Sequence, residues 1–418
     1  MRDEMKKAPR IRFRGFQEDW ELCKLNNIYK KIRNAFVGTA TPYYVKEGNF
    51  YLESNNIKDG NINQNTKVFI NDEFYEKQKD KWLETEDIVM VQSGHVGHTA
   101  VIPKELNNTA AHALIMFQER KRETNPYFLN YQFLTDTSKR KLDMITTGNT
   151  IKHILASEMK SFEVFVCESA EENLISDFFR KLDDTIGLHQ RKLDQLKELK
   201  KAYLQLIIVL NSSENSTVPK LRFANFTGEW ELCKLGDELA LLKDGTHGTH
   251  TDSLVGPYLL SAKNIKNGKI NITNEDRKIS QDEFDRIHSR FSLKKDDILL
   301  TIVGSIGEAA ILRAPEGITF QRSVAYLRSK VINPEFLYTY ITGPEFQKEL
   351  KNRQVVSAQP GIYLGDLDKI PILFPKTSRE QQKIGTFFQQ LDQAITLHQN
   401  KLTQLKFLKK SYLQNMFI

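Results

Sequence analysis

The sequence predicts an α+β protein built as a pseudo-twofold internal repeat. Two similar globular domains are separated by two long helices, which pack as an antiparallel coiled coil. Three observations predict this. Residues 9–25, PRIRFRGFQEDWELCKL, match residues 219–235, PKLRFANFTGEWELCKL, at 10 of 17 positions. Residues 178–207 match 387–416 at 19 of 30, and the offset between copies stays between 208 and 210. Finally, both matched helical segments carry an unbroken four–three spacing of apolar residues, the signature of a coiled-coil seam. Two copies at so long a period make a tandem pair rather than a solenoid, which stacks several short units. The expected order is domain 1–168, helix 169–210, linker and domain 211–376, helix 377–418.

The helices read most clearly. The first seam runs Ile175, Phe179, Leu182, Ile186, His189, Leu193, Leu196, Lys200, Tyr203, Ile207; the second runs Ile384, Phe388, Leu391, Ile395, His398, Leu402, Leu405, Lys409, Tyr412, Met416. Ser169-x-x-Glu172 and Ser378-x-x-Gln381 fit a capping box in the same register. NSSENSTV followed by Pro219 ends the first helix in a polar linker. A helix of about 33 residues spans roughly 50 Å. The economical return path for the second helix is antiparallel beside the first, placing the domains at opposite ends in inverted senses. His189 and His398 then fall beside the midpoint, as a polar seam pair that fixes register or, less simply, a metal pair short of ligands. Lys200 and Lys409 are expected to snorkel outward. Phe178, Leu188, Leu199 and Leu204, with Phe387, Leu397, Leu408 and Leu413, lie off the seam in both copies. Such a wide stripe suits partner helices docking on the pair, or contact with the chain's own domains.

Each domain reads as mixed strands and helices. YLESNNIKDGNIN and YLLSAKNIKNGKIN predict strand, turn, strand, with DG and NG as turn dipeptides. EDIVMVQSGHVGHTAVI and DDILLTIVGSIGEAAIL predict two β-runs joined by a glycine turn. NPYFL and NPEFL place proline in the first turn of a helix.

Composition adds bounds. The 418 residues suffice for two or three domains, and the apolar content of 40 % is ordinary. No apolar run of membrane-spanning length occurs, and MRDEMKKAPRIRF lacks a signal-type stretch, so a cytoplasmic location and no membrane partner are expected. Three widely spaced cysteines argue against a disulfide framework or zinc knuckle. The net charge of +7 suggests nucleic acid only weakly, because no segment is a basic tail. Folding must gather scattered charges onto one face.

No nucleotide-binding glycine motif, metal-ligand set or catalytic constellation stands out. NPYF (125–128) resembles the short motif of adenine methyltransferases, but its counterpart NPEF (333–336) loses the aromatic that would stack on a flipped base, and a helix start explains both. His247 and His250 have a metal-like spacing without further ligands. What remains is loops whose side chains suit base edges and phosphates. In the first domain these are Thr39, Thr41, Tyr43, Gln92, His95, His98, His112, Asn149 and Lys152. In the second they are Lys243, Thr246, His247, Thr249, Gln321, Arg322, Gln354 and Gln359. The copies diverge most at 34–47 against 243–257 and at 145–160 against 354–369. That is either surface drift or one job done on two targets.

The chain resembles the specificity (S) subunit of type I restriction–modification systems over its whole length. The words that carry this are WELCKLGDE after PKLRF, KDGTHGTH, IVGSIGEAAI, QPGIYLGDLDKIPILFP, and the stretch SREQQKIGTFFQQLDQAITLHQNKLTQLKFLKKSYLQNMF. The first copy departs from the pattern at AFVGTATPYY and at TTGNTIKHILASEMKSFEVFV. The resemblance implies two target recognition domains, each reading one half of a split site in double-stranded DNA. It implies helices that set the gap and dock two methyltransferase subunits, and restriction–translocase subunits that complete the assembly. It implies a non-catalytic subunit with no cofactor of its own, S-adenosylmethionine, ATP and magnesium belonging to the partners. A structural adaptor and a stand-alone DNA-modification methyltransferase are the alternatives.

Overall fold

The computed structural model describes residues 8–148, 152–208, 217–289, 291–355 and 360–418. The chain divides into two compact units, one of residues 1–190 with 400–418, the other of residues 191–399. The boundary therefore runs through both long helices, and each unit owns one globular domain and a half of each helix. The repeat alone suggests four consecutive segments; burial ties each helix end into a domain core instead.

In the first unit the main sheet orders Tyr29–Asn34, Leu114–Arg120, Ile88–Val91 and Thr99–Val101, all antiparallel. In the second unit Leu239–Asp244, Val324–Ser329, Ile298–Thr301 and Ala309–Ile311 repeat that order. The central strands, IVMV and ILLT, are buried on both faces, apolar except for Thr301. The turn dipeptides do what their chemistry requires. Asp59 and Gly60, and Asn267 and Gly268, all have positive φ, the conformation of a two-residue primed turn. They close the hairpins Ile57–Lys58 with Asn61–Ile62 and Ile265–Lys266 with Lys269–Ile270.

The WELCKL words form strands. Glu21–Lys24 pairs with Glu163–Val166, and Glu231–Lys234 with Pro371–Phe374, each just before a long helix. Pro126–Phe133 and Pro334–Ile341 are helices. Asn125 and Asn333 are their N-caps, each side-chain oxygen accepting two backbone N–H groups. The helix-start reading of NPYF and NPEF holds.

The long helices are Ser169–Ile207 and Ser378–Asn415. Within the first unit, Phe178 meets Tyr412 and Asp183 meets Lys409; within the second, Tyr203 meets Phe387 and Lys200 meets Asp392. As one helix number rises its partner's falls, so the pairing is antiparallel in each unit. The seam residues Ile175, Phe179, Ile384 and Phe388 are sealed in the cores, each worth roughly 1.5–3 kcal/mol of burial. Lys200 and Lys409 do not snorkel. Each ammonium lies 2.6 Å from the facing helix's carboxylate, Asp392 or Asp183, which costs less than stretching to solvent from a seam position.

The capping box also takes another form. The helices begin one residue earlier than the serines suggest, with Glu172 N–H donating to the Glu168 carbonyl and Gln381 N–H to that of Thr377. The Glu172 carboxylate accepts the N–H groups of Asn125 (2.8 Å) and Cys167 (3.2 Å). Gln381 accepts from Asn333 N–H and donates to the Pro375 carbonyl, both at 2.8 Å. Beside them the repeated opening words are clamped. Arg12 forms a two-pronged ion pair with buried Glu171, which also accepts from the Trp20 indole; Arg222, Glu380 and Trp230 repeat the triad. No described helix is long and apolar enough to cross a membrane.

Candidate nucleic-acid interface

Two loop clusters are built in each domain, by the same backbone hydrogen bonds. In the first domain the segment after Tyr29–Asn34 bridges the segment before Leu114–Arg120, Phe36 opposite His112. Phe36 N–H donates to Ala111 O (3.2 Å), His112 N–H to Leu52 O (2.8 Å) and Ala113 N–H to Phe36 O (2.9 Å). In the second domain Thr246 lies opposite Gln321. Thr246 N–H donates to Phe320 O (2.8 Å), Gln321 N–H to Leu260 O (2.8 Å) and Arg322 N–H to Thr246 O (3.1 Å). One scaffold thus carries Phe36, His112 and Ala113 in one copy and Thr246, Gln321 and Arg322 in the other.

The second cluster joins the glycine turn to the loop that diverges late in each domain. Ser93 bridges His153, and Val303 bridges Gly361. Gly94 N–H reaches Lys152 O (3.1 Å) and Gly304 N–H reaches Pro360 O (3.2 Å). Both turns need glycine: Gly94, Gly97, Gly304 and Gly307 all have positive φ.

The expected contact residues separate by environment. Thr39, Thr41, His95, Lys152, His247, Thr249 and Arg322 are exposed. Arg322 has no ion-pair partner among the described residues, which leaves a guanidinium open to an acceptor. Lys152 lies 3.5 Å from Asp143, and His247 Nε2 lies 2.6 Å from Asp244. Lys243 is half-buried, its ammonium 5.0 Å from the Phe291 ring, and Gln321 and Gln354 are half-buried. His98 packs 4.0 Å from Asp59, its pKa lowered chiefly by burial. Asn149 and Gln359 lie outside the described residues.

Three of the expected contact residues are engaged within their own domain. Tyr43 stacks on Phe74, with ring centres 4.0 Å apart, so one face of its ring supports the loop. His112 turns inward, 2.9 Å from Gly38 O and 3.8 Å from Glu53. That carboxylate raises the imidazole pKa, and the imidazole lowers the carboxylate's. Gln92 carries its side-chain oxygen enclosed, and it is the backbone carbonyl that holds the cluster by accepting Ile154 N–H. Among the helix residues, Leu204 and Leu413 are corrected too: each is buried in the core of its own unit. Phe178 and Phe387 pack partly against those cores. Leu188 and Leu408 in the first unit, and Leu199 and Leu397 in the second, remain exposed, between 41 % and 67 %.

His250 and Glu283 were not expected to matter together. His250 Nδ1 lies 2.7 Å from Glu283 and Nε2 lies 3.1 Å from Thr246 Oγ1. With His247 paired to Asp244, the two histidines have separate carboxylates and do not form a metal pair. Among the described residues no group of three or more His, Cys, Asp or Glu is placed to hold a metal ion. Nothing local signals Glu283, which lies 33 residues away.

The molecule is thus defined as a duplicated binding protein, displaying variable loops on a repeated scaffold sealed to paired helices. The chain belongs to the family of the type I restriction modification DNA specificity domain, which matches residues 17–198 and again 229–406. It is 20 % identical to the type I restriction enzyme MjaVIII specificity subunit of Methanocaldococcus jannaschii, over 94 % of this chain and 91 % of that one. It is 23 % identical to the EcoBI specificity subunit of Escherichia coli, over 65 % of this chain and 61 % of that one. The crystal structure of a type I restriction–modification S subunit from M. genitalium shares the fold, with a TM-score of 0.67 at 15 % identity, covering 98 % of this chain and 99 % of that one.

Proposed function

We propose that each domain reads one half of a bipartite site in double-stranded DNA, and that the helix pair sets the gap between halves. The exposed leucines of the helices dock two methyltransferase subunits, and restriction–translocase subunits join that assembly. S-adenosylmethionine, ATP and magnesium act in those partners, and the complex works in the cytoplasm. One observation carries the reading: identical backbone bonds hold up different side chains, Thr246, Gln321 and Arg322 against Phe36, His112 and Ala113. A scaffold kept constant while the residues built on it change suits two half-sites of different sequence, each wrong base pair costing about 1–3 kcal/mol.

The full-length chain, alone and with a methyltransferase subunit, is assayed for duplex binding over a salt series and for methylation of host DNA with and without the gene. The expected result is one split motif, methylated only when the chain is present, with affinity falling steeply with salt. Methylation by the chain alone would favour the stand-alone enzyme. Complex formation without sequence preference would favour the adaptor.

A further inference from the structure

The hydrogen bonds around His250 fix more than a loop shape. Glu283, on the helix Gln281–His288, offers a carboxylate that only accepts. The proton of a neutral His250 ring therefore sits on Nδ1, 2.7 Å from Glu283. In that ring state Nε2 has only a lone pair, and the Thr246 hydroxyl, 3.1 Å away, is the group that donates to it. That hydroxyl has one proton, and it points inward. With that proton used, the oxygen of half-buried Thr246 has only lone pairs left to offer a ligand.

The relay is rigid where it must be. The His250 and Glu283 side chains are only 7 % and 12 % exposed, whereas Thr246 is half-buried at the loop edge, bonded to Arg322 through its own carbonyl. Gly245 holds the segment down: a Cβ there would stand 2.1 Å from Phe320 O and 2.4 Å from Gln321 O. The same backbone position in the first domain carries Phe36, packed edge-on against Phe74. The polar relay thus belongs to the second domain alone.

Resting on the reading that this domain contacts DNA bases, we propose that His250 carries a single ring proton, on Nδ1 toward Glu283, and that Thr246 is therefore a specificity residue that accepts a hydrogen bond from an exocyclic amino group, adenine N6 or cytosine N4, with His250 and Glu283 as positioning residues. Guanine O6 and N7 and thymine O4 are acceptors in the major groove and are rejected by an oxygen with no proton to give.

The test uses the full-length chain with its methyltransferase subunits and a randomised duplex library. Thr246→Val, which keeps the shape and removes the hydroxyl, is expected to lose a roughly ten- to hundredfold preference at one position of one half-site. Thr246→Ser keeps it, and His250→Ala weakens it at that same position only. Replacing the preferred adenine by purine, or the preferred cytosine by 2-pyrimidinone, costs the wild type that factor and costs Thr246→Val nothing further. An unchanged motif in Thr246→Val overturns the proposal. So does removal of the exocyclic amino group from the affected base pair costing Thr246→Val as much as it costs the wild type, or a loss spread over both half-sites. A wild-type complex with no sequence preference would instead bring down the functional reading beneath it.

Discussion

Glu172 and Gln381 occupy equivalent places, and their difference makes a measurable asymmetry. Both accept the N–H that opens a domain helix, from Asn125 or Asn333. Glu172 is 1 % exposed, and burial pushes its carboxyl from 4.5 up to about 7, against the pull of the Asn125 and Cys167 N–H groups and Arg122. The folded state therefore holds a proton that the unfolded chain has already released between those two values. Stability contributed by this group is greatest below pH 4.5 and falls as pH rises through about 7, by about 1.4 kcal/mol per pH unit, or about 3 kcal/mol in all. Glu172→Gln removes that loss but leaves one oxygen to serve two N–H groups, a cost of about 1 kcal/mol. The variant should match the wild type within about 1 kcal/mol at pH 5 and exceed it by about 2 kcal/mol at pH 8.5. Urea unfolding at both pH values, followed by pulsed hydrogen exchange of peptides near residues 160–180, resolves the first domain from the second. Gln381→Glu should install the same pH dependence in the second domain. Parallel pH profiles for wild type and Glu172→Gln would refute the reasoning.

Three further outcomes are expected. Arg12→Ala strands the buried Glu171 carboxylate and should destabilise the first domain by about 3–5 kcal/mol, read as a lowered melting transition of that domain. Arg322→Ala or Gln321→Ala should relax only the half-site read by the second domain; equal loss at both halves would instead indicate an assembly defect. Removing or adding one heptad in both long helices should change the gap length in the methylated motif and leave the half-sites intact, a result that methylation mapping checks directly.

Much of this architecture was legible in the residues. The seam, the Asp59–Gly60 and Asn267–Gly268 turns and the Asn125 and Asn333 helix starts each depend on neighbours a few positions apart, so local spacing carries them. The loop residues were legible as types but not as orientations. Tyr43 and His112 looked like contacts and are anchors, because Phe74, Glu53 and Gly38 O lie within reach only once the strands are in register. Lys200 and Lys409 looked like seam intruders, and only the antiparallel register brings Asp392 and Asp183 opposite them. The sequence by itself determined the duplication, the helices and the family. Tertiary structure alone decided which polar groups are paired, because an ion pair such as Arg12 with Glu171 joins residues 159 positions apart, and no local pattern encodes a distance that only packing sets.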